Sequence, residues 1–214
     1  MISTRSLGEL PAIVELARLT GSLAMLDAIL CDDWQLRYYS FDSKWADGES
    51  MASMRNGSGD HWYAWFTAAG TAIHGVAHES PMFRPGDPWP GIWDALPPEL
   101  GGFRAEPAFD TDNSSFCIWR LCSDVEWRTG EISYTDGHID PDGSAGMLSI
   151  LGGDPESYRN WASEYFECDL PLRSVAAIYR HRPLTEELVR SLNPEASLGL
   201  LQRDVATIGF PHMP

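Results

Sequence analysis

Between Trp34 and His78 the chain alternates apolar and polar residues in four successive runs, separated by short polar or glycine-bearing stretches. A period of two is the signature of strands that turn alternate side chains to opposite faces. In residues 34–41, Trp34, Leu36 and Tyr38 fall on one side and Gln35, Arg37 and Tyr39 on the other. Residues 41–48 read as a polar connection. Residues 49–55 form a second run, with Met51 and Ser53 opposite Ala52 and Met54. Asn56-Gly57 then predicts a hairpin, because both residues tolerate positive φ. Residues 61–67 and 71–78 give the third and fourth strands, with Ala68-Ala69-Gly70 turning the chain between them. Four strands joined in order by short turns predict an antiparallel meander.

Helical spacing appears outside this block. Residues 11–30 carry one broad apolar face, interrupted by Gly21-Ser22, which predicts a kink or a break. Asp154-Pro155-Glu156 opens a helix reaching about residue 167, with Asp as N-cap and Pro at the first helical position. Thr185-Glu186-Glu187 opens another, and Asn193-Pro194-Glu195 a third. Further strands are expected at 116–121, 125–128 and 131–134, the last two flanking a Thr129-Gly130 turn. Residues 81–98 hold six prolines with Phe83, Trp89 and Trp93, and describe an ordered, aromatic-pinned loop with a short helical turn at 91–96. Such a loop covers an edge or frames a site. The expectation is a single α+β domain over residues 1–214. Its mostly antiparallel sheet is packed by an N-terminal helix and by C-terminal helices.

The net charge is −16, and Lys44 is the single lysine beside 14 arginines. A chain so acidic repels nucleic acid and anionic membrane surfaces and attracts basic partners. The acid concentrates in residues 106–169, with fourteen Asp/Glu against three Arg. Either that region is a solvated face or it is a docking surface for a cationic protein. Cys31, Cys117, Cys122 and Cys168 include no Cys-x-x-Cys pair, which argues against a structural zinc site. No basic-then-apolar leader and no membrane-length apolar run is present, so a cytoplasmic protein with buried, reduced thiols is expected. The sequence leaves oligomeric state open.

The motifs each fall short of a known chemistry. Arg55-Asn-Gly-Ser-Gly-Asp60 is glycine-rich, but lacks the Gly-Lys-Ser/Thr ending and a following helix, so it reads as a hairpin turn and not a phosphate loop. Its serine follows a glycine directly, which also excludes the Gly-x-Ser-x-Gly elbow. His74 and His78 share a strand face at about 13 Å, too far for one metal. His138-Ile-Asp140-Pro-Asp142-Gly143 has part of a calcium-loop pattern, but its first and twelfth positions are not acidic. A polar hairpin loop fits it better. Trp89 and Trp93 form the best exposed pair for a carbohydrate platform. No motif implies a cofactor or a metal, and no carboxylate pair is singled out as catalytic.

Arg37-Tyr-Tyr-Ser-Phe41, Ser53-Met-Arg-Asn-Gly-Ser-Gly-Asp60 and Gly75-x-x-His-Glu79 together resemble the signature of an uncharacterised family of bacterial proteins. The resemblance covers about the first 80 residues well and the rest loosely, and it implies no activity or residue role. In general composition the chain is similar to immunity proteins that neutralise bacterial toxins. The resulting expectation is a non-catalytic binding protein, of immunity type, that meets a basic partner through an acidic surface. The alternatives are a hydrolase with a pocket near residues 53–60, and a carbohydrate-binding protein. Candidate binding residues are Arg55, Asn56, Ser58, Asp60, His78, Glu79, Trp89 and Trp93.

Overall fold

The computed structural model describes residues 1–213. It is an α+β fold built on a six-stranded antiparallel meander, in the spatial order β1-β2-β3-β4-β5-β6. The strands are β1 (Tyr39–Ala46), β2 (Glu49–Arg55), β3 (His61–Phe66), β4 (Gly70–Val76), β5 (Phe116–Leu121) and β6 (Arg128–Thr129). The helices are α1 (Ile13–Leu30), α2 (Gly101–Ala105), α3 (Ser144–Leu148), α4 (Pro155–Tyr165), α5 (Leu172–Tyr179), α6 (Glu186–Leu192) and α7 (Gln202–Ile208). Strands on either side of the proline-rich loop pair directly, since β4 is hydrogen-bonded to β5.

Register assigns the two faces. Tyr39, Met54, Trp62, Gly75 and Phe116 stand in one row across five strands. The four side chains of that row, with Ala52, Ala64, Phe66, Ile73 and Ile118, join the main core, which also takes in buried residues of α1 and of α4 to α7. The neighbouring row, Ser53, Tyr63, His74 and Cys117, turns to the other face. There a smaller core of Ala72, Ile92, Leu100, Phe103, Phe109, Cys117 and Trp119 sits beneath the proline-rich loop and α2. With both faces covered, β4 is buried along its whole length, which is why its sequence alternates less cleanly than β3.

Several expectations give way to tertiary contacts. Residues 34–36 are an exposed 3-10 turn and not a strand. The Asp33 side chain accepts from Gln35 N at 2.9 Å and caps that turn. The strand starts later, where the buried Asp27 carboxyl accepts the backbone N–H groups of Tyr38 (2.8 Å) and Tyr39 (2.9 Å). Most of the polar connection at 41–48 is the rest of β1, an edge strand with an irregularity between Asp42 and Ala46. Helix α1 runs unbroken through Gly21-Ser22, and the Ser22 hydroxyl donates to Ile178 O at 3.0 Å. Burying that stretch outweighs the roughly 1 kcal/mol cost of one helical glycine.

The predicted strand at 131–134 is absent, and β6 is only two residues long. Gly130 lies so close to the Gly91 carbonyl that the chain is held by the loop instead of pairing on. The expected helical turn at 91–96 is a set of turns, and helix comes only at 98–105. Asn193-Pro194 opens no helix. The Asn193 side chain donates to Ile29 O (2.8 Å) and accepts from Glu195 N (3.0 Å), fixing a turn before α7. Helix α5 has no cap signal in the sequence, since its N-cap Pro171 makes no side-chain hydrogen bond. The caps at Asp154 and Thr185 form as expected, accepting from Glu156 N and Ser157 N, and from Leu188 N.

Candidate functional site

The turn at 56–60 joins β2 to β3, with Arg55 and His61 as its last paired residues. It is the expected hairpin, closed by a five-residue loop. Asn56 organises it through its side chain, because Oδ1 accepts from Ser58 N (2.8 Å) and Asp60 N (3.0 Å). Its amide donates to Asp60 Oδ2 at 2.8 Å. Asp60 is thereby aimed at the chain beyond β4. Asp60 Oδ1 accepts the backbone N–H of His78 at 2.9 Å and lies 2.8 Å from His78 Nδ1. A carboxylate at that position holds the imidazole proton on Nδ1 and leaves Nε2 facing outward. Nε2 is 3.9 Å from Glu79 Oε1, and Glu79 is 89% exposed.

Gly59 makes this approach possible. Its φ is +115°, and a Cβ there would meet His78 Nδ1 at 3.0 Å. The glycines of the motif therefore serve a close packing of turn on imidazole, not a phosphate cradle.

Beside this pair lies a cleft of about 550 Å³, lined by residues from five separated stretches of chain. Tyr38 and Tyr39 come from the start of β1, Met54, Asn56 and Asp60 from β2 and its turn, and Ala77 and Glu79 to Pro81 from the end of β4. The opposite wall is Asp140, Gly143, Gly146, Met147, Ser149 and Ile150 around α3, with Ser157 and Trp161 of α4. Three carboxylates and three aromatic rings line it, and no Lys or Arg does so. The volume suits a side chain or a small ligand. Asp140 also accepts from Ala145 N (3.0 Å) and Gly146 N (2.9 Å), so the stretch read as a hairpin loop at 138–143 is the capped entry to α3. Asp142 is buried and accepts from Ser144 N at 3.0 Å. Burial raises its carboxyl above the usual range.

Of the sequence candidates, Asn56, Asp60, His78 and Glu79 come together here. Arg55 does not. It turns to the other face of the sheet, with its guanidinium 4.0 Å above the Trp34 ring. Ser58 is exposed at the tip of the turn. Trp89 and Trp93 are on the opposite face of the sheet, half-buried against the smaller core instead of standing as an exposed pair. Trp89 Nε1 donates to Ser133 O at 2.9 Å. His74 does not share a face with His78, because β4 ends at Val76. His74 is fully buried near His61, with ring centroids 6.4 Å apart. Burial drives its imidazole pKa down to about 3.

Tyr38, Tyr39, Ser157 and Trp161 also line the site without having stood out as candidates in the sequence, and so does Asp140, which showed there only as part of an incomplete calcium-loop pattern. Asp154-Pro155 did announce the helix that carries Ser157 and Trp161, but no local signal says which element that helix faces. Cys122 is exposed, Cys31 and Cys168 are half-buried and Cys117 is fully buried, so the thiols are not uniformly internal. Among the described residues no helix is long and apolar enough to cross a membrane, and no three His, Cys, Asp or Glu side chains are grouped to hold a metal ion. No protein-family model, curated protein or solved structure matches the chain.

Proposed function

We propose that the protein is a non-catalytic binding module whose cleft receives a basic side chain of a protein partner, as an immunity-type inhibitor would. The observation that carries this reading is the lining of the cleft. Asp60, Glu79 and Asp140 meet Tyr38, Tyr39 and Trp161 there, with no basic residue among them. Carboxylates and aromatic faces both attract a cation, the latter through the ring quadrupole. The overall charge of −16 adds long-range steering toward a basic surface. The three stretches that resemble the bacterial family also each contribute to this one cleft.

The test is a titration of the labelled protein with N-acetylated tetra-arginine and tetra-glutamate, followed by amide NMR shifts. The cationic peptide is expected to move residues 56–60 and 77–81, with affinity falling as salt is raised. Asp60→Asn and Glu79→Gln are each expected to weaken it severalfold. Shifts confined to other surfaces, or binding indifferent to salt, would refute the reading.

A second reading, a hydrolase, draws on the Asp60–His78 pair. An imidazole oriented by a carboxylate through Nδ1 is the arrangement of a general base. Under this reading His78→Asn abolishes turnover of an ester or amide substrate while leaving the cationic peptide bound.

A further inference from the structure

Beyond the cleft mouth, the aromatic lining continues onto open surface. Trp161 stacks on Tyr165 with ring centroids 5.4 Å apart and planes at 12°. Tyr38 meets Tyr165 edge-on at 4.6 Å. The Tyr165 hydroxyl donates to Leu36 O at 3.1 Å, which joins α4 to the 3-10 turn. Leu36 and Tyr165 are 57% and 41% exposed. Large apolar side chains standing open together mark an interaction surface more often than an accident of folding. The carboxylates near them in the chain, Asp32, Asp33 and Glu164, are exposed as well. Of the cations close by in the chain, Arg37 is paired with Asp204 at 2.6 Å, and Arg55 lies over Trp34 on the other face of the sheet. The patch is therefore apolar at its centre and acidic at its rim, and it meets the cleft at Tyr38 and Trp161.

Resting on the binding function proposed above, we propose that the partner's recognition element is bipartite. A basic side chain sits in the cleft, and a bulky apolar side chain one or two positions away in the same segment lies on Leu36 and Tyr165. The spacing follows from the rings. Tyr165 is 4.6 and 5.4 Å from the two rings that line the cleft. An extended peptide advances about 3.3 Å per residue, so one or two residues span that step. The acidic rim selects a basic segment for this surface over a neutral or acidic one. Burying one leucine-sized side chain on the patch is expected to tighten binding about tenfold.

The experiment compares Ac-Gly-Arg-Gly-Leu-Gly-amide with its Leu→Ala and Arg→Gln versions, by NMR titration of the whole protein. The Arg/Leu peptide is expected to bind about tenfold tighter than the Arg/Ala peptide. Leu36→Ala and Tyr165→Ala are expected to remove that difference while leaving the Arg/Ala affinity unchanged. Leu36→Ala decides by itself if Tyr165→Ala proves misfolded by circular dichroism. Equal affinities of the Arg/Leu and Arg/Ala peptides for the native protein overturn the bipartite element and leave the cationic cleft standing. Failure of every Arg peptide to shift cleft amides overturns both.

Discussion

Replacing Asp27 with asparagine should change how stability depends on pH more than it changes the fold. Asp27 is fully buried in α1. It accepts from Tyr38 N, Tyr39 N and, at 2.6 Å, the Tyr158 hydroxyl. Burial outweighs these donors and holds its carboxyl at about 7, against an ordinary 3.8. Between those values the folded protein carries one more proton than the unfolded chain. Stability from this group is therefore fully present below about pH 3.8 and is lost as pH rises through 7. About three pH units at about 1.4 kcal/mol each amount to about 4 kcal/mol. His74 acts in the opposite sense. Its imidazole is held at about 3 instead of 6.5, so the unfolded chain carries the extra proton and stability falls as pH drops through that window. In the native protein the two slopes oppose each other from about pH 4 to 6.5.

In the Asp27→Asn variant the side-chain oxygen still faces the two backbone N–H groups. The new amide can donate to the Tyr158 oxygen, which reverses one hydrogen bond and leaves the buried Tyr158 O–H without its acceptor, a cost that does not vary with pH over this range. The Asp27 contribution to the pH dependence disappears, and the His74 slope is unmasked. The assay is urea unfolding of both proteins at four values between pH 4.5 and 7.5. All other carboxylates are common to both and cancel in the difference. The stability of the native protein relative to Asp27→Asn is expected to rise by about 1.4 kcal/mol for each unit of acidification below pH 7. A difference that stays flat across the range would show that Asp27 ionises normally in the fold, and would refute the reasoning.

Two further substitutions test the frame of the site. Gly59→Ala places a methyl group against His78 at a φ of +115°. It should cost about 1–3 kcal/mol and release the imidazole from Asp60, seen by NMR as loss of the hydrogen-bonded His78 Nδ1–H signal. Arg37→Ala leaves Asp204 without its partner and strips donors from Cys31 O (2.7 Å) and Asp32 O (3.3 Å). A loss of about 3 kcal/mol in chemical denaturation is expected for a partly buried pair, and a loss under about 1 kcal/mol would place the ion pair among the solvent-screened ones.

Most strands that could be read from sequence have partners near in the chain, while β5, expected at 116–121 from its own alternation, pairs with β4 more than 40 residues back. In β2, β3 and β4, alternation and turn residues lie within a few positions of one another, so local chemistry and final pairing agree. Residues 34–36 alternate just as well, yet a cap by Asp33 and the pull of Asp27 on the backbone of Tyr38 and Tyr39 give them another shape. The turn leaves Leu36 exposed beside Tyr165, whose hydroxyl donates to the Leu36 carbonyl. Trp89 and Trp93 fail as an exposed pair for a related reason. Their loop lies flat on the outer face of the sheet, and no periodicity in an irregular segment can report what lies beneath it.

The amino-acid sequence by itself determined the meander, the strong charge, the capped starts of α4 and α6, and the polar, glycine-bearing turn from Asn56 to Asp60. Each of these depends on backbone preferences and on neighbours a few residues away. Only the tertiary structure decided that Asp60 grips His78, that Arg55 faces away, and that Tyr38, Asp140 and Trp161 close the cleft. Those contacts join residues up to 123 positions apart, as Tyr38 and Trp161 are, and they are fixed by which faces of the sheet and helices are driven together when apolar surface leaves water.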